Sequence, residues 1–242
     1  MMEKKYKLTE ETINVDGRTL YRIEALKDFD VVEKGDKGGF IENESNLSQS
    51  GDCWVYENAK VYGNAEVYDD AKVYGNAWVF DNAKVFEDAE VFGIAEVCGD
   101  AVVYCDAKVF GNAQVYDNAK VSGNTQVYEN AKVYENAKVF EDAEVFGIAE
   151  VCGNTEIRGD AEIRGDAEIA SNSDYILFKN WWSSGRHFTW TKSNNMWKVG
   201  CFYGTGEELI KKAYKDSEKS GREYERVVKY VESILKDNNA DV

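Results

Sequence analysis

The residues best suited to chemistry lie near the carboxyl end of the chain. The only histidine, His187, follows Arg186, and tryptophan is concentrated around both. An arginine and a histidine among indole rings could hold a planar or anionic ligand. The alternative, which we favour, is that the tryptophans form the core of a small sheet beneath two helices. These tryptophans are Trp181, Trp182, Trp190 and Trp197.

The cysteines favour neither a metal site nor a disulfide framework, because their number is odd and no two have the C-x-x-C spacing. We therefore expect no metal and no cofactor. The start, MMEKKYKLTEET, contains no hydrophobic signal segment, and no apolar run approaches the length of a membrane span. These observations predict a cytoplasmic protein that does not enter a membrane, with free thiols at Cys53, Cys98, Cys105, Cys152 and Cys201.

Much of the remaining chain consists of one short repeat. An aliphatic residue returns every six positions from Val55 to Ile169 without interruption, and a small residue, usually alanine, stands four places after each. In the unit Ala-Lys-Val-Tyr-Gly-Asn (59–64), apolar residues alternate with charged or aromatic ones, which predicts a four-residue strand with alanine and valine on one side. Glycine and asparagine tolerate positive φ and predict a two-residue corner.

Three strands and three corners close a triangle, so 18 residues form one coil with valine and alanine inside. Residues 82–99 recur letter for letter as residues 136–153, and the offset of 54 corresponds to three whole coils. A fixed short period indicates a stacked solenoid. The sequence therefore predicts a mainly β protein built on a left-handed parallel β-helix of about seven coils, on the order of 30 Å long.

The flanks of the repeat predict two further domains. In residues 1–52 we expect a strand KYKLT, then two strands, ETINV and RTLYRIEAL, joined by an Asp16-Gly17 hairpin turn, and an irregular first coil, as in an N-terminal β-hairpin and cap. Residues 53–172 form the β-helix. Residues 173–242 contain three expected strands (DYILFKN, HFTWTK and NMWKVGCFY) and two helices, the first opened by a capping box between Thr205 and Glu208. We expect this small C-terminal α+β domain to close the other end of the stack.

Arranging the repeat in rows of 18 places the outward aromatic residues in columns. Stacked rings stabilise neighbouring strands by about 0.5 to 1.5 kcal/mol per pair. A long strip of exposed rings is also typical of an interface, so we expect the longest column to be covered by a protein partner or by a second copy of the chain. This column, called here the aromatic column, consists of Tyr56, Tyr74, Phe92, Phe110, Tyr128 and Phe146, followed by Arg164.

Acidic residues concentrate in the repeat and along one row of corners. Residues 51–170 carry 24 acidic and 9 basic residues, which is a net charge of −15 out of −16 for the chain. Three interpretations compete: a solubilising edge, weak calcium sites, or a mimic of duplex DNA, which carries about 18 charges per 30 Å. The row, called here the acidic edge, contains Asp69, Asp70, Glu87, Asp88, Asp106, Glu141, Asp142 and Asp160.

The repeat resembles the left-handed β-helix of the hexapeptide-repeat superfamily, whose best-known members are acyltransferases. The lead-in KLTEETINVDGRTLYRIEALKDF, followed by GDKGGFIENESNLSQSGDCWVYENAKVYGNA, resembles the YdcK-like proteins of bacteria and their phages. The tail NWWSSGRHFTWTKSNNMWKVGCFYGTGEEL is similar to carboxyl-terminal modules of gut bacterial and phage-type proteins. The resemblance implies the β-helix fold and a phage or mobile-element setting.

The superfamily's chemistry does not carry over to this repeat. Its acyltransferases use a histidine base near a loop that leaves the coil, whereas residues 53–172 contain no histidine and no interruption of the period. Tyrosine or aspartate could act as a base, but nothing groups them with a nucleophile. We therefore expect a non-catalytic protein that presents a rigid acidic β-helix to a protein partner and does not bind nucleic acid directly; self-association into a homo-oligomer stays open. Two alternatives to this function are a DNA-mimic inhibitor of a nucleic-acid-binding enzyme and an acyltransferase.

Overall fold

The computed structural model describes residues 3–182 and 184–240. The chain divides into two compact units, Met1–Asn172 and Ser173–Val242. The first unit contains the N-terminal strands together with the repeat, and the second contains a separate sheet and two helices.

The repeat forms a parallel β-solenoid of about seven coils in which strands 18 residues apart pair in register, as Glu90 with Lys108 and Val91 with Val109. Its twenty two-residue strands, β4 to β23, lie in three sheets. The seven-strand face contains Trp54–Val55 (β4), Lys72–Val73 (β7), Glu90–Val91 (β10), Lys108–Val109 (β13), Gln126–Val127 (β16), Glu144–Val145 (β19) and Glu162–Ile163 (β22).

The six-strand face contains Glu66–Val67 (β6), Lys84–Val85 (β9), Val102–Val103 (β12), Lys120–Val121 (β15), Lys138–Val139 (β18) and Glu156–Ile157 (β21). The ten-strand face contains β1 to β3, described below, and then Lys60–Val61 (β5), Trp78–Val79 (β8), Glu96–Val97 (β11), Gln114–Val115 (β14), Lys132–Val133 (β17), Glu150–Val151 (β20) and Glu168–Ile169 (β23). The predicted 18-residue coil is confirmed, and its left-handed sense stays a prediction.

The strands are shorter than the four residues expected, because hydrogen bonds within the corners use backbone groups of the residues that flank each strand. The Ala77 N–H donates to the Tyr74 carbonyl at 3.4 Å, which closes the turn, whereas Lys72 and Tyr74 donate to carbonyls of the next coil. The first residue of each corner from 57 to 165 has positive φ, and it is often not glycine. The left-handed region is unfavourable for such residues. They are Glu57, Asp69, Asp81, Glu87, Cys105, Asp117, Glu129, Glu135 and Glu141.

The interior of the solenoid is the predicted core of valine and alanine. The repeated aliphatic residues from Val55 to Ile169 and the alanines that follow them are buried. Two threonines replace alanine in this row, and each satisfies its hydroxyl locally: Thr125 Oγ1 donates to the Ser122 carbonyl and Thr155 Oγ1 to the Cys152 carbonyl, both at 2.7 Å. Because burial of a valine side chain contributes about 1.5 to 3 kcal/mol, this core is the main source of stability.

The N-terminal segment continues the ten-strand face as an antiparallel sheet. Strands β1 (Tyr6–Val15) and β2 (Arg18–Ala25) form the predicted hairpin at Asp16 and Gly17, and β3 (Lys37–Ile41) pairs with both β2 and β5. The two segments KYKLT and ETINV, expected as separate strands, form the single strand β1 with an irregular register between Leu8 and Thr12. A short 3-10 helix, Glu44–Asn46, leads into the first coil.

A buried lysine holds this segment against the first corner, which the sequence did not indicate. Lys5 Nζ donates to the carbonyls of Cys53 at 2.8 Å and Gly51 at 3.1 Å, and it lies 3.2 Å from Cys53 Sγ. Burial lowers the pKa of Lys5 and raises the pKa of the Cys53 thiol. The buried amine is tolerated because these carbonyls accept the hydrogen bonds that water would otherwise accept from it.

The second unit contains a four-stranded antiparallel sheet: β24 (Tyr175–Lys179), β25 (His187–Thr191), β26 (Met196–Val199) and β27 (Phe202–Gly204). Two helices follow, α1 (Gly206–Asp216) and α2 (Glu218–Ala240). The expected third strand is in fact two strands, because a turn with positive φ at Gly200 breaks it. The capping box is confirmed: Thr205 Oγ1 accepts from the Glu208 N–H at 3.3 Å, and Glu208 Oε2 accepts from the Thr205 N–H at 2.9 Å.

The inside and outside of the coil can be tested with two adjacent positions. Val109→Asp would bury an unpaired carboxylate, so it should lower the free energy of unfolding by several kcal/mol. Lys108→Asp should cost about 1 kcal/mol or less, because the half-exposed side chain loses its ion pair with Glu90 and solvent screens the repulsion between the new carboxylate and Glu90. Thermal unfolding of both variants checks the assignment, and equal destabilisation would contradict it.

Candidate functional site

The aromatic column forms a continuous ladder on the seven-strand face. From Tyr74 to Phe146, neighbouring rings lie 4.6 to 4.9 Å apart with planes within 5° of parallel. Tyr56 meets Tyr74 edge-on, and the Arg164 guanidinium lies 5.3 Å from the Phe146 ring. The predicted stack is therefore present, with an edge-on contact at one end and a cation over the ring at the other.

Two of the three tyrosines of this column are hydrogen-bonded to carboxylates of the same face. Tyr74 donates to Glu90 Oε2 at 2.6 Å, and Tyr128 donates to Glu144 Oε2 at 3.1 Å. Burial and the neighbouring carboxylates together raise the pKa of both phenols. The hydroxyls therefore remain protonated donors, which makes them unsuitable as general bases.

Stacking also determines what the column presents to solvent. The rings cover one another's faces, so mainly their edges are accessible; Phe146 is only 6% exposed and the other five rings are half-buried. The aromatic column is thus less open than the sequence suggested. Aromatic residues that follow the strands of the other two faces stack similarly: Tyr68 lies on Phe86 at 4.7 Å beside the six-strand face, and Tyr116 on Tyr134 at 5.0 Å beside the ten-strand face.

The acidic edge lies along the corners that follow the six-strand face, and all eight of its carboxylates are exposed. Three of them, Asp69, Glu87 and Glu141, occupy the positive-φ position. Glu87 Oε2 accepts from the Cys105 N–H at 2.9 Å, and Glu141 Oε2 accepts from the Gly159 N–H. These glutamates therefore have a structural role: each binds a corner N–H of the next coil.

Corner carboxylates elsewhere make the same contact. Asp81 accepts from the Gly99 N–H at 3.3 Å, Asp117 from the Glu135 N–H at 3.2 Å, and Glu135 from the Gly153 N–H at 2.7 Å. The corner N–H groups of Gly93, Gly111 and Glu129 lack this acceptor, because the equivalent residue one coil earlier is glycine and has no side chain. Acids thus compensate partly for an unfavourable backbone conformation by satisfying the corner above.

The remaining members of the acidic edge are at the second corner position, where this requirement does not apply. Asp70 Oδ1 accepts from the Asp52 N–H at 2.9 Å, and Asp142 Oδ1 accepts from Asn124 Nδ2 at 3.1 Å. An asparagine could make both contacts equally well, because its Oδ1 is also an acceptor. The charge of the residues at this position therefore needs an explanation other than hydrogen bonding.

Charge separates sharply between the faces and the corners of the solenoid. Within residues 51–170 all nine basic residues lie on the faces, together with eight carboxylates, whereas the corners carry sixteen carboxylates and no base. Ion pairs between adjacent coils neutralise the faces further, as between Lys108 and Glu90 at 2.8 Å and between Lys132 and Glu150 at 2.9 Å. The net charge of the repeat therefore resides at its corners.

Two exposed isoleucines were missed by the sequence analysis. Ile94 and Ile148 are the second residues of corners that follow the seven-strand face, beside the aromatic column. The signal was present in the sequence: most corners of this row carry asparagine there, and both isoleucines lie in the duplicated segment. We call this row, with second residues Asn58, Asn76, Ile94, Asn112, Asn130, Ile148 and Asp166, the isoleucine edge.

The tryptophans of the second unit mostly form its core, as favoured above. Trp190 and Trp197 are buried with Phe188 against both helices. Trp181 is an exception, since it is 83% exposed. His187 begins β25 opposite Lys179 and is half-buried. The predicted aromatic surroundings of His187 are thus largely hydrophobic core.

Within the part of the chain that the structure describes, no group of three or more His, Cys, Asp or Glu side chains could hold a metal ion. None of the helices in residues 3–182 and 184–240 has the length and apolar character needed to cross a bilayer.

Comparison with known families supports the resemblance noted above. Residues 113–129 match the family described as the YdcK beta solenoid repeat. Together with the stack of about seven coils around it, this match supports a YdcK-like β-solenoid fold. No match to a curated protein was found.

The structural role of corner acids can be tested with two glycine substitutions. Glu129→Gly should raise the free energy of unfolding by up to about 1 kcal/mol, because glycine adopts positive φ without steric cost. Glu141→Gly should gain less, since it also removes the acceptor of the Gly159 N–H, a hydrogen bond contributing about 0.5 to 1.5 kcal/mol. Chemical denaturation measures both, and equal stabilisation would show that the carboxylate contact contributes nothing.

A second pair of variants separates stacking from association in the aromatic column. Phe110→Ser and Phe86→Ser each remove two stacked contacts, so both should lower stability by about 1 to 3 kcal/mol. If the aromatic column is an interface between copies, only Phe110→Ser should lower the mass measured by light scattering. Identical masses for wild type and both variants would leave the column as an intramolecular stack.

Proposed function

We propose that this protein is a non-catalytic binding protein of the cytoplasm, whose solenoid presents the acidic edge to a basic surface of a protein partner. The supporting observation is the separation of charge: nearly neutral faces alternate with corners whose charged side chains are all carboxylates. A solubilising surface would need acids in no particular place. Here the acids of the faces are balanced by bases, and the uncompensated acids are aligned along the corners, which concentrates the negative potential along ridges.

The solenoid also supplies rigidity, which favours binding. Coils are joined by backbone hydrogen bonds at regular steps, for example Lys72 N–H to the Ala89 carbonyl at 2.9 Å and Lys84 N–H to the Ala101 carbonyl at 2.9 Å. Because the rows are already ordered, little conformational entropy is lost when a partner docks on them. The partner implied is a protein with a complementary row of lysines or arginines.

Mimicry of duplex DNA is a second candidate, favoured by the density of corner charge. Sixteen corner carboxylates lie along a rod on the order of 30 Å, in which duplex DNA carries about 18 charges. Such a mimic would inhibit a nucleic-acid-binding enzyme by occupying its basic groove. The same field repels phosphate, so direct binding of nucleic acid is disfavoured. Acyl transfer is not part of the proposal, because the repeat contains neither histidine nor a loop that leaves the coil.

Neutralising the acidic edge tests the proposal. Replacing Asp70, Asp88, Asp106, Asp142 and Asp160 by Asn removes five charges with little change of shape. Proteins retained by the immobilised wild type from a bacterial lysate at low salt should be lost by this variant and displaced from the wild type by salt. Competition of the retained proteins by duplex DNA would favour mimicry over other protein binding.

A matched control removes five charges from the other two rows of corners: Asp81, Asp100, Asp117 and Asp166 to Asn, with Glu135 to Gln. It should retain the same proteins as wild type, because the acidic edge is intact. Both variants should melt near the wild-type temperature, since Asn and Gln keep the acceptor oxygens. Equal retention by all three proteins would show that the acidic edge only confers solubility.

A further inference from the structure

Ile94 and Ile148 are the most exposed large apolar side chains of the solenoid corners, at 54% and 60%. The structure gives neither side chain an interior role, because the second corner residue points away from the core. Asparagine occupies the equivalent position at Asn58, Asn76, Asn112 and Asn130, so isoleucine is not needed to form the corner. An apolar residue that replaces a polar one on a solvated ridge indicates a contact surface.

The charge of the three rows of corners shows where a second copy could approach. The isoleucine edge carries three carboxylates, Glu57, Glu129 and Asp166. The corners after the ten-strand face carry four, and those after the six-strand face carry nine when Asp52 is included. Two chains of net charge −16 repel each other, and the repulsion is smallest along the isoleucine edge.

We infer that two copies of this chain pair antiparallel along the isoleucine edge, with Ile94 of each copy against the partner's Ile148. The two isoleucines lie three coils apart, about 14 Å at about 4.8 Å per coil. A two-fold axis perpendicular to the rod and midway between the two isoleucines places Ile94 of one copy on Ile148 of the other. Such a contact is isologous and closes after two copies.

The antiparallel direction follows from the acids of this edge. In a parallel pair in register, each of the three acids, Glu57, Glu129 and Asp166, would face the identical acid of the second copy. The two-fold axis instead places Glu129 opposite the partner's Gly111 and Asp166 opposite the partner's Asn76. Asn112 then faces the partner's Asn130, and two amides can donate and accept across the axis.

The same axis brings the two aromatic columns together. It keeps the seven-strand faces of both copies on one side of the contact, so Phe92 lies toward the partner's Phe146 and Phe110 toward the partner's Tyr128. Ring edges, which the stacks leave accessible, can then contact each other across the groove. Six corners along one ridge bury less than the about 800 Å² per partner of a standard interface, so the dimer should dissociate on dilution.

This pairing uses a different ridge from the acidic edge and does not depend on the partner proposed for it. Disulfide trapping tests it in a Cys201→Ser background, because Cys201 is exposed. A mixture of Ile94→Cys and Ile148→Cys chains should form a disulfide between positions 94 and 148 under mild oxidation. Each variant alone should not, since its two thiols would be about 14 Å apart and a disulfide requires Cα atoms within about 7 Å.

Peptide mapping of the trapped product decides among the outcomes. A disulfide between two copies of position 94 would establish parallel pairing and overturn the inference. Absence of any disulfide in the mixture, at the highest concentration at which the protein stays in solution, would overturn self-association along this edge. As a matched control, Ile94→Asn with Ile148→Asn introduces the residue of the other corners; it should keep the melting temperature and abolish concentration-dependent sedimentation, and unchanged sedimentation would also contradict the pairing.

Discussion

The hydrogen-bonded register between coils 18 residues apart is the constraint on which the rest of this structure depends. Every strand of the solenoid has only two paired residues, so no such strand could persist alone, and each is held by pairing with the neighbouring coils. A shift of one residue would exchange the buried and exposed sides of all following strands. This requirement explains why valine or isoleucine returns at every sixth position without exception.

The corners are where this constraint has a chemical consequence. The turn forces positive φ on one residue in every six, and the N–H of that residue has no carbonyl partner in the ladder between coils. Glycine accommodates the backbone conformation but offers no acceptor to the next coil. Aspartate and glutamate tolerate it less well, yet five of the eight acids at this position accept the corner N–H of the next coil. Part of the protein's acidity therefore stabilises the solenoid, and the aspartates of the second corner position are the charges available for binding.

The sequence predicted the features that repeat and missed those that occur once. The period identified the coil, its buried valines and the stacked columns, because side-chain direction alternates with a fixed step. It could not indicate that Lys5 lies buried against Cys53, since that contact joins two irregular segments. The split of the last expected strand depends on the φ of Gly200, and the exposure of Trp181 depends on how its loop leaves β24. Ile94 and Ile148 were visible departures from the asparagine of their row, but their significance required knowing that this position points outward.

Residue-resolved hydrogen exchange of the native protein measures the corner contacts directly. If carboxylates accept the corner N–H groups, the amides of Gly99, Cys105, Glu135, Gly153 and Gly159 should exchange slowly. The amides of Gly93, Gly111 and Glu129, which have glycine one coil earlier, should exchange much faster although their strands are equally protected. Equal exchange in the two groups would mean that the corner acids do not bind the coil above, and that their placement has no structural cause.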